Sequence, residues 1–130
     1  MPKARTSTWF AVSTITALQR RKTARMLVFE DVYLVRARTE AEASRRGAAL
    51  AKKAARSDEP VTYKGEPVQV VFAGVRKVVS CSASGARGEH AHVSEIEDGT
   101  QATYSQLVIA SKRDLKRLVE GESIEVVYEQ

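Results

Sequence analysis

His90 and His92 stand one residue apart with Glu89 beside them, a trio whose nitrogens and carboxylate match the donors of a divalent-metal site. A rigid site needs three or four ligands held in place, and the fourth would have to come from a distant segment. The pair therefore reads as incidental histidines in a solvated loop. Cys81 is the one thiol of the chain and closes an apolar run. A reactive cysteine needs a nearby base and an exposed, electropositive setting; the closest histidine is nine residues on, so Cys81 reads as half-buried and inert. Glu95, Glu97 and Asp98 cluster before Gly99. Grouped carboxylates can serve acid–base chemistry or hold Mg²⁺, but Asp-Gly at a strand entrance is first of all a turn. The chain has no Walker loop, dinucleotide-binding glycine fingerprint, nucleophile elbow or paired C-x-x-C. No catalytic residue, metal or cofactor is expected.

The remaining constellation is basic. Arg20, Arg21, Lys22 and Arg25 fall in one polar stretch, and Arg45, Arg46, Lys52, Lys53 and Arg56 in a second. Such clusters suit phosphate, because neutralising several phosphates releases condensed counterions. Residues 1–60 carry 13 Lys/Arg against 6 Asp/Glu, whereas residues 61–130 carry 8 against 10. This polarity suggests an anionic partner for the first half: nucleic acid, an acidic protein face or the acidic half of a second copy. RNA recognition usually adds exposed aromatics on a sheet face. Here Trp9, Phe10, Phe29, Tyr33, Tyr63, Phe72 and Tyr104 lie mostly in apolar strand segments, where core packing is the expectation.

The elements that position these groups are readable in outline. With 130 residues, 43% hydrophobic and 28% charged, the chain is of one-domain size and ordinary globular composition. A lone cysteine, the lack of an N-terminal apolar stretch and the lack of an apolar run of membrane-spanning length lead to the expectation of a cytoplasmic protein without membrane contact. Residues 1–8 read as a loose basic tail. WFAVSTITAL (9–18) and MLVFEDVYLVRA (26–37) read as strands, the second interrupted by a bulge or bend at Glu30 and Asp31. Thr39 with Glu42 forms a capping box opening a helix over about 39–56, whose inner face is Ala43, Gly47, Leu50 and Ala54. Residues 61–82 read as two strands joined by a tight turn at Lys64-Gly65, the second long and bent at Gly74. Residues 82–92 read as a mobile loop, and TQATYSQLVIA as a strand after the EDG turn. Ser111 with Asp114 caps a short helix over about 111–120 that stops at Gly121, and SIEVVYEQ alternates like a final strand.

Trp9-Phe10 opening a strand, FEDVYLVRA followed by TEAEA, TYKGEPVQVVFAGVRKVV, and EIEDGTQATYSQL occur in one order. Together they resemble the bacterial domain of unknown function family 4288, over about residues 9–107. The basic segment at 19–25, the loop at 82–92 and the chain after Leu107 depart from that pattern. The resemblance implies a small α+β fold without an assigned activity and supplies no catalytic residues. The expectation is one α+β domain: a mainly antiparallel sheet of about five to six strands, with the longer helix packed on it and a short second helix. Its expected role is that of a small non-enzymatic interaction module binding another protein or itself, the alternative being nucleic-acid binding by the basic N-terminal half.

Overall fold

A computed structural model of the chain describes residues 7–56, 60–81 and 97–126. They form strands β1 (Thr8–Arg20) and β2 (Met26–Ala37), helix α1 (Glu40–Ala55), strands β3 (Val61–Tyr63), β4 (Glu66–Cys81) and β5 (Thr100–Ile109), and helix α2 (Lys112–Val119). The strands make one antiparallel sheet in the order β3-β4-β1-β2-β5. β2 and β4 both run antiparallel to β1, which lies between them. β2 and β4 are therefore parallel to each other on either side of β1, joined by a split crossover that runs through α1 and the short strand β3, and the fold is α+β.

The local signals act as their chemistry requires. The Thr39 hydroxyl accepts from the Glu42 backbone N–H at 3.1 Å, and Ser111 Oγ accepts from Asp114 N at 3.2 Å, so each helix starts on a side-chain cap. α2 ends with Gly121 at φ 83°; Gly121 N donates to Leu118 O and Glu122 N to Arg117 O, the bond pair that terminates a helix through a left-handed residue. Lys64 and Gly65 have φ of 51° and 79°, the positive pair that a two-residue hairpin turn needs. β4 bends where its register against β1 shifts twice, between Ser13 and Thr14 and between Ile15 and Thr16, leaving Arg76 and Ala73 as extra residues around Gly74.

Side chains alternate across β1, and the two helices use opposite faces. Phe10 and Val12, with Tyr33 and Val35 of β2, pack under Ala43 and Ala51 of α1. Ile15 and Ala17, with Met26 and Val28 of β2 and Ile109 of β5, pack under Leu115 and Leu118 of α2. Val12, Ile15, Val28, Val35 and Ile109 are fully buried, each contributing about 1.5–3 kcal/mol of transfer free energy.

Four expectations are corrected. Glu30 and Asp31 do not interrupt β2, whose register against β1 runs unbroken through them. Their polar ends are satisfied across the sheet, Glu30 by Arg76 at 3.7 Å and Asp31 by Gln101 at 2.9 Å; the irregularity instead lies against β5, between Val32 and Tyr33. The inner face of α1 is Ala43, Gly47 and Ala51, with Leu50 half-buried and Ala54 exposed, because burial follows a spacing of four along a helix crossing the sheet. The described part of SIEVVYEQ, residues 123–126, is not a strand. Ile124 packs into the α2 core instead of joining a ladder, and the sheet has five strands. Finally, the strand expected from Trp9 begins at Thr8, inside the stretch read as a tail. Residues 1–6, the whole of the 82–92 loop and residues 127–130 lie outside the described residues.

Candidate interaction surface

The basic residues separate into two groups on the sheet. Arg20 ends β1, with its guanidinium 4.0 Å from Glu66 and 5.5 Å from the Tyr63 ring centre. Lys22 approaches the other oxygen of Glu66 at 3.8 Å, while Arg21 and Arg25 are exposed in the turn before β2. On α1, Arg45, Lys53 and Arg56 are exposed, Arg46 is held by Asp98 at 2.8 Å and also donates to the Arg36 carbonyl, and Lys52 lies 5.6 Å over the Phe72 ring. Phe72 faces Thr16, four residues along β1 from Arg20. At the rise of a strand this is about 13 Å, which separates Lys52 over Phe72 from the turn group.

Of the acidic cluster, Glu97 and Asp98 are described, and Asp98 is structural. It accepts from the Arg36 backbone N–H at 2.9 Å and from Arg46, tying the turn before β5 to β2 and α1. Burial works to raise its carboxyl pKa, but the hydrogen bonds and charges of Arg46 and Arg36 outweigh it and hold the group below the usual carboxylate range. Glu89, His90, His92 and Glu95 lie outside the described residues. Cys81 is half-buried at the end of β4, opposite Trp9. Among the described residues no three His, Cys, Asp or Glu side chains gather as a metal ion would need.

A polar cluster on the α1 face was not singled out from sequence. Thr14 Oγ1 donates to the Asp31 carbonyl at 3.2 Å, Gln101 Nε2 to its carboxylate, and Tyr33 lies two residues on with its side chain on the same face. Burial raises the Asp31 pKa; burial and then the Asp31 charge raise that of Tyr33. Next to this cluster Tyr104, opposite Asp31, is 58% exposed and its ring centre lies 6.5 Å from that of Phe29. The expectation that the aromatics are core fails at Tyr104, because β5 is the last strand of the sheet and nothing among the described residues pairs with its outer side.

That outer side is the most open feature of the fold. Thr100–Gln106 are all exposed, and the whole of β5, TQATYSQLVI, contains no charge, proline or glycine. Natural edge strands are normally shielded by such residues or by bulges. β5 has one irregularity, which leaves Ala102 without a partner on β2; from Thr103 to Ile109 the ladder is regular. The opposite edge differs. β3 covers only Glu66–Val68 of β4, but the rest of β4 carries Arg76, Lys77 and two bulges. The sequence signal for the β5 edge was present, a polar uncharged strand, but strand order alone makes it an edge.

These features define an antiparallel α+β domain with a split crossover and helices on opposite sheet faces. The chain belongs to a family described as Domain of unknown function (DUF4288), whose model matches residues 9–105, or 97 of its 130 residues. The match ends within β5, so α2 lies beyond it, while Ile15, Ala17, Met26 and Val28 of the core that α2 covers lie within it. No curated protein and no solved structure matches the chain. Among the described residues, no helix is long and apolar enough to cross a membrane.

Proposed function

We propose that this protein is a non-enzymatic interaction module that binds a protein chain along the outer edge of β5. The observation that carries this reading is the exposed, uncharged, proline-free run Thr100–Gln106 at the rim of the sheet. An open ladder offers backbone donors and acceptors to an added strand, while Tyr104 supplies an aromatic contact beside it. The alternative, nucleic-acid binding, draws on the turn group and on Lys52 over Phe72. It is weakened by Glu66 and Asp98, which already engage Arg20, Lys22 and Arg46.

The test is affinity capture from nuclease-treated lysate on immobilised wild type and on Ser105→Lys. A protein retained by the wild type, insensitive to nuclease and lost from the variant is the expected result. Retention of nucleic acid that falls steeply with salt, and falls again when Arg20, Arg21, Lys22 and Arg25 are neutralised together, replaces this reading with the alternative.

A further inference from the structure

The two long edges of the sheet differ in what a copy of themselves would meet. An antiparallel pairing about a two-fold axis sets one residue opposite itself and the residues on either side of it opposite each other, so a charge on the axis faces a like charge and charges close to it are brought near their own copies. On β4 the two bulges around Gly74 and the exposed Lys77 oppose such pairing, while Arg76 is held by Glu30 and the Leu118 carbonyl. On β5 no charge occurs between Thr100 and Ser111. The overlap of its exposed run, Thr100–Gln106, with its regular ladder, Thr103–Ile109, centres near Ser105.

We propose that the occupant of the β5 edge is a second copy of this chain, its β5 antiparallel to the first about an axis at Ser105. This rests on the edge-binding reading above. Tyr104 of each copy then faces Gln106 of the other, and the two sheets join into one of ten strands. Because the β4 edge cannot pair in the same way, the assembly closes as a dimer and does not grow into a fibre. Ten residues of strand are about 34 Å long and a sheet is about 10 Å thick, giving about 700 Å² buried in total, below the size of a stable interface, so the dimer is a weak one, with dissociation in the micromolar range or poorer. Each copy carries a net charge of +5, so added salt screens their repulsion and strengthens the dimer, opposite to its effect on a phosphate-bound complex.

The experiment is sedimentation of the purified full chain from about 1 to about 500 μM, a range bracketing a micromolar contact, at low and high salt. It is joined to disulfide trapping of Ser105→Cys in a Cys81→Ser background. Residues self-opposed across antiparallel strands have Cα atoms about 4.5–5.5 Å apart, within disulfide reach. The expected results are a concentration-dependent dimer favoured by salt, covalent dimer from Ser105→Cys, and none from Thr100→Cys, which lies far from the axis. Ser105→Lys is expected to stay folded, because on β2 it faces Glu30, and to be monomeric because it faces itself. A monomer throughout the range, a dimer indifferent to Ser105→Lys, or equal trapping of both cysteine variants overturns the proposal. A monomer that still captures a foreign protein, lost on Ser105→Lys, overturns the second copy and leaves the edge-binding reading standing.

Discussion

Gly47 of α1 lies directly against Val12 of β1: a β-carbon placed on this glycine would sit 2.4 Å from Val12 Cγ1 and 2.8 Å from its Cβ. The absence of a side chain lets the helix rest on the sheet and bury Ala43 and Ala51. Gly47→Ala gains about 1 kcal/mol in helix propensity but overpacks a fully buried valine, which typically costs about 1–3 kcal/mol. The clash reaches the Val12 stem, which cannot rotate away, so a net loss of about 1–2 kcal/mol is expected. Denaturant titration measures it, and unchanged or increased stability shows that the helix does not approach this closely.

Gly74 makes the matching approach on the other face. Its φ of 153° disfavours any side chain, and an added β-carbon would lie 2.6 Å from Val119 Cγ1 of α2. Gly74→Ala is expected to destabilise the fold and loosen α2. The further change Val119→Ala recovers the steric part alone, leaving the backbone strain. A double-mutant cycle with no coupling between the two positions contradicts this packing.

The caps give a third expectation. Thr39→Ala and Ser111→Ala each remove one acceptor for a helix N-terminal donor and should cost about 1 kcal/mol. Leu50→Ala should fall at or below the lower end of the about 2–5 kcal/mol typical of buried leucines, because Leu50 is half-buried. Equilibrium unfolding of the three variants side by side would expose an error if Leu50→Ala proved the costliest by several kcal/mol.

Two carboxylates pull acid stability in opposite directions. Asp98 has its folded pKa below the ordinary 3.8, so its contribution is present above that value and lost as pH falls through the folded one. Asp31 has its folded pKa above 3.8, so its ionisation weakens the fold at neutral pH, and the penalty disappears as pH falls through the folded value toward 3.8. Asp31→Asn is therefore expected to stabilise the protein at pH 7 and to lose that advantage in acid, while Asp98→Asn lowers stability at pH 7 and flattens the acid limb. Melting temperatures between pH 3 and pH 7 decide it, and an Asp31→Asn variant less stable at neutral pH reverses the assignment.

The features readable from the chain alone were those whose cause lies within a few residues. Thr39 and Ser111 cap helices through their own hydroxyls, Lys64 and Gly65 turn through their own dihedrals, and Gly74 bends the strand that contains it. Order within each segment and membership of a family over residues 9–105 follow from the same local record. Only the tertiary structure decided which segment became an edge. The alternation of SIEVVYEQ met no open ladder over residues 123–126, and Ile124 became a plug for a core. The charges of Glu30 and Asp31, which argue for a break in isolation, found Arg76 and Gln101 across the sheet. Tyr104 looks like a core aromatic until β5 is known to lie outermost. Strand order sets which backbone groups stay open and which charges meet, and it depends on pairings between residues as far apart as Asp31 and Gln101, which no local pattern encodes.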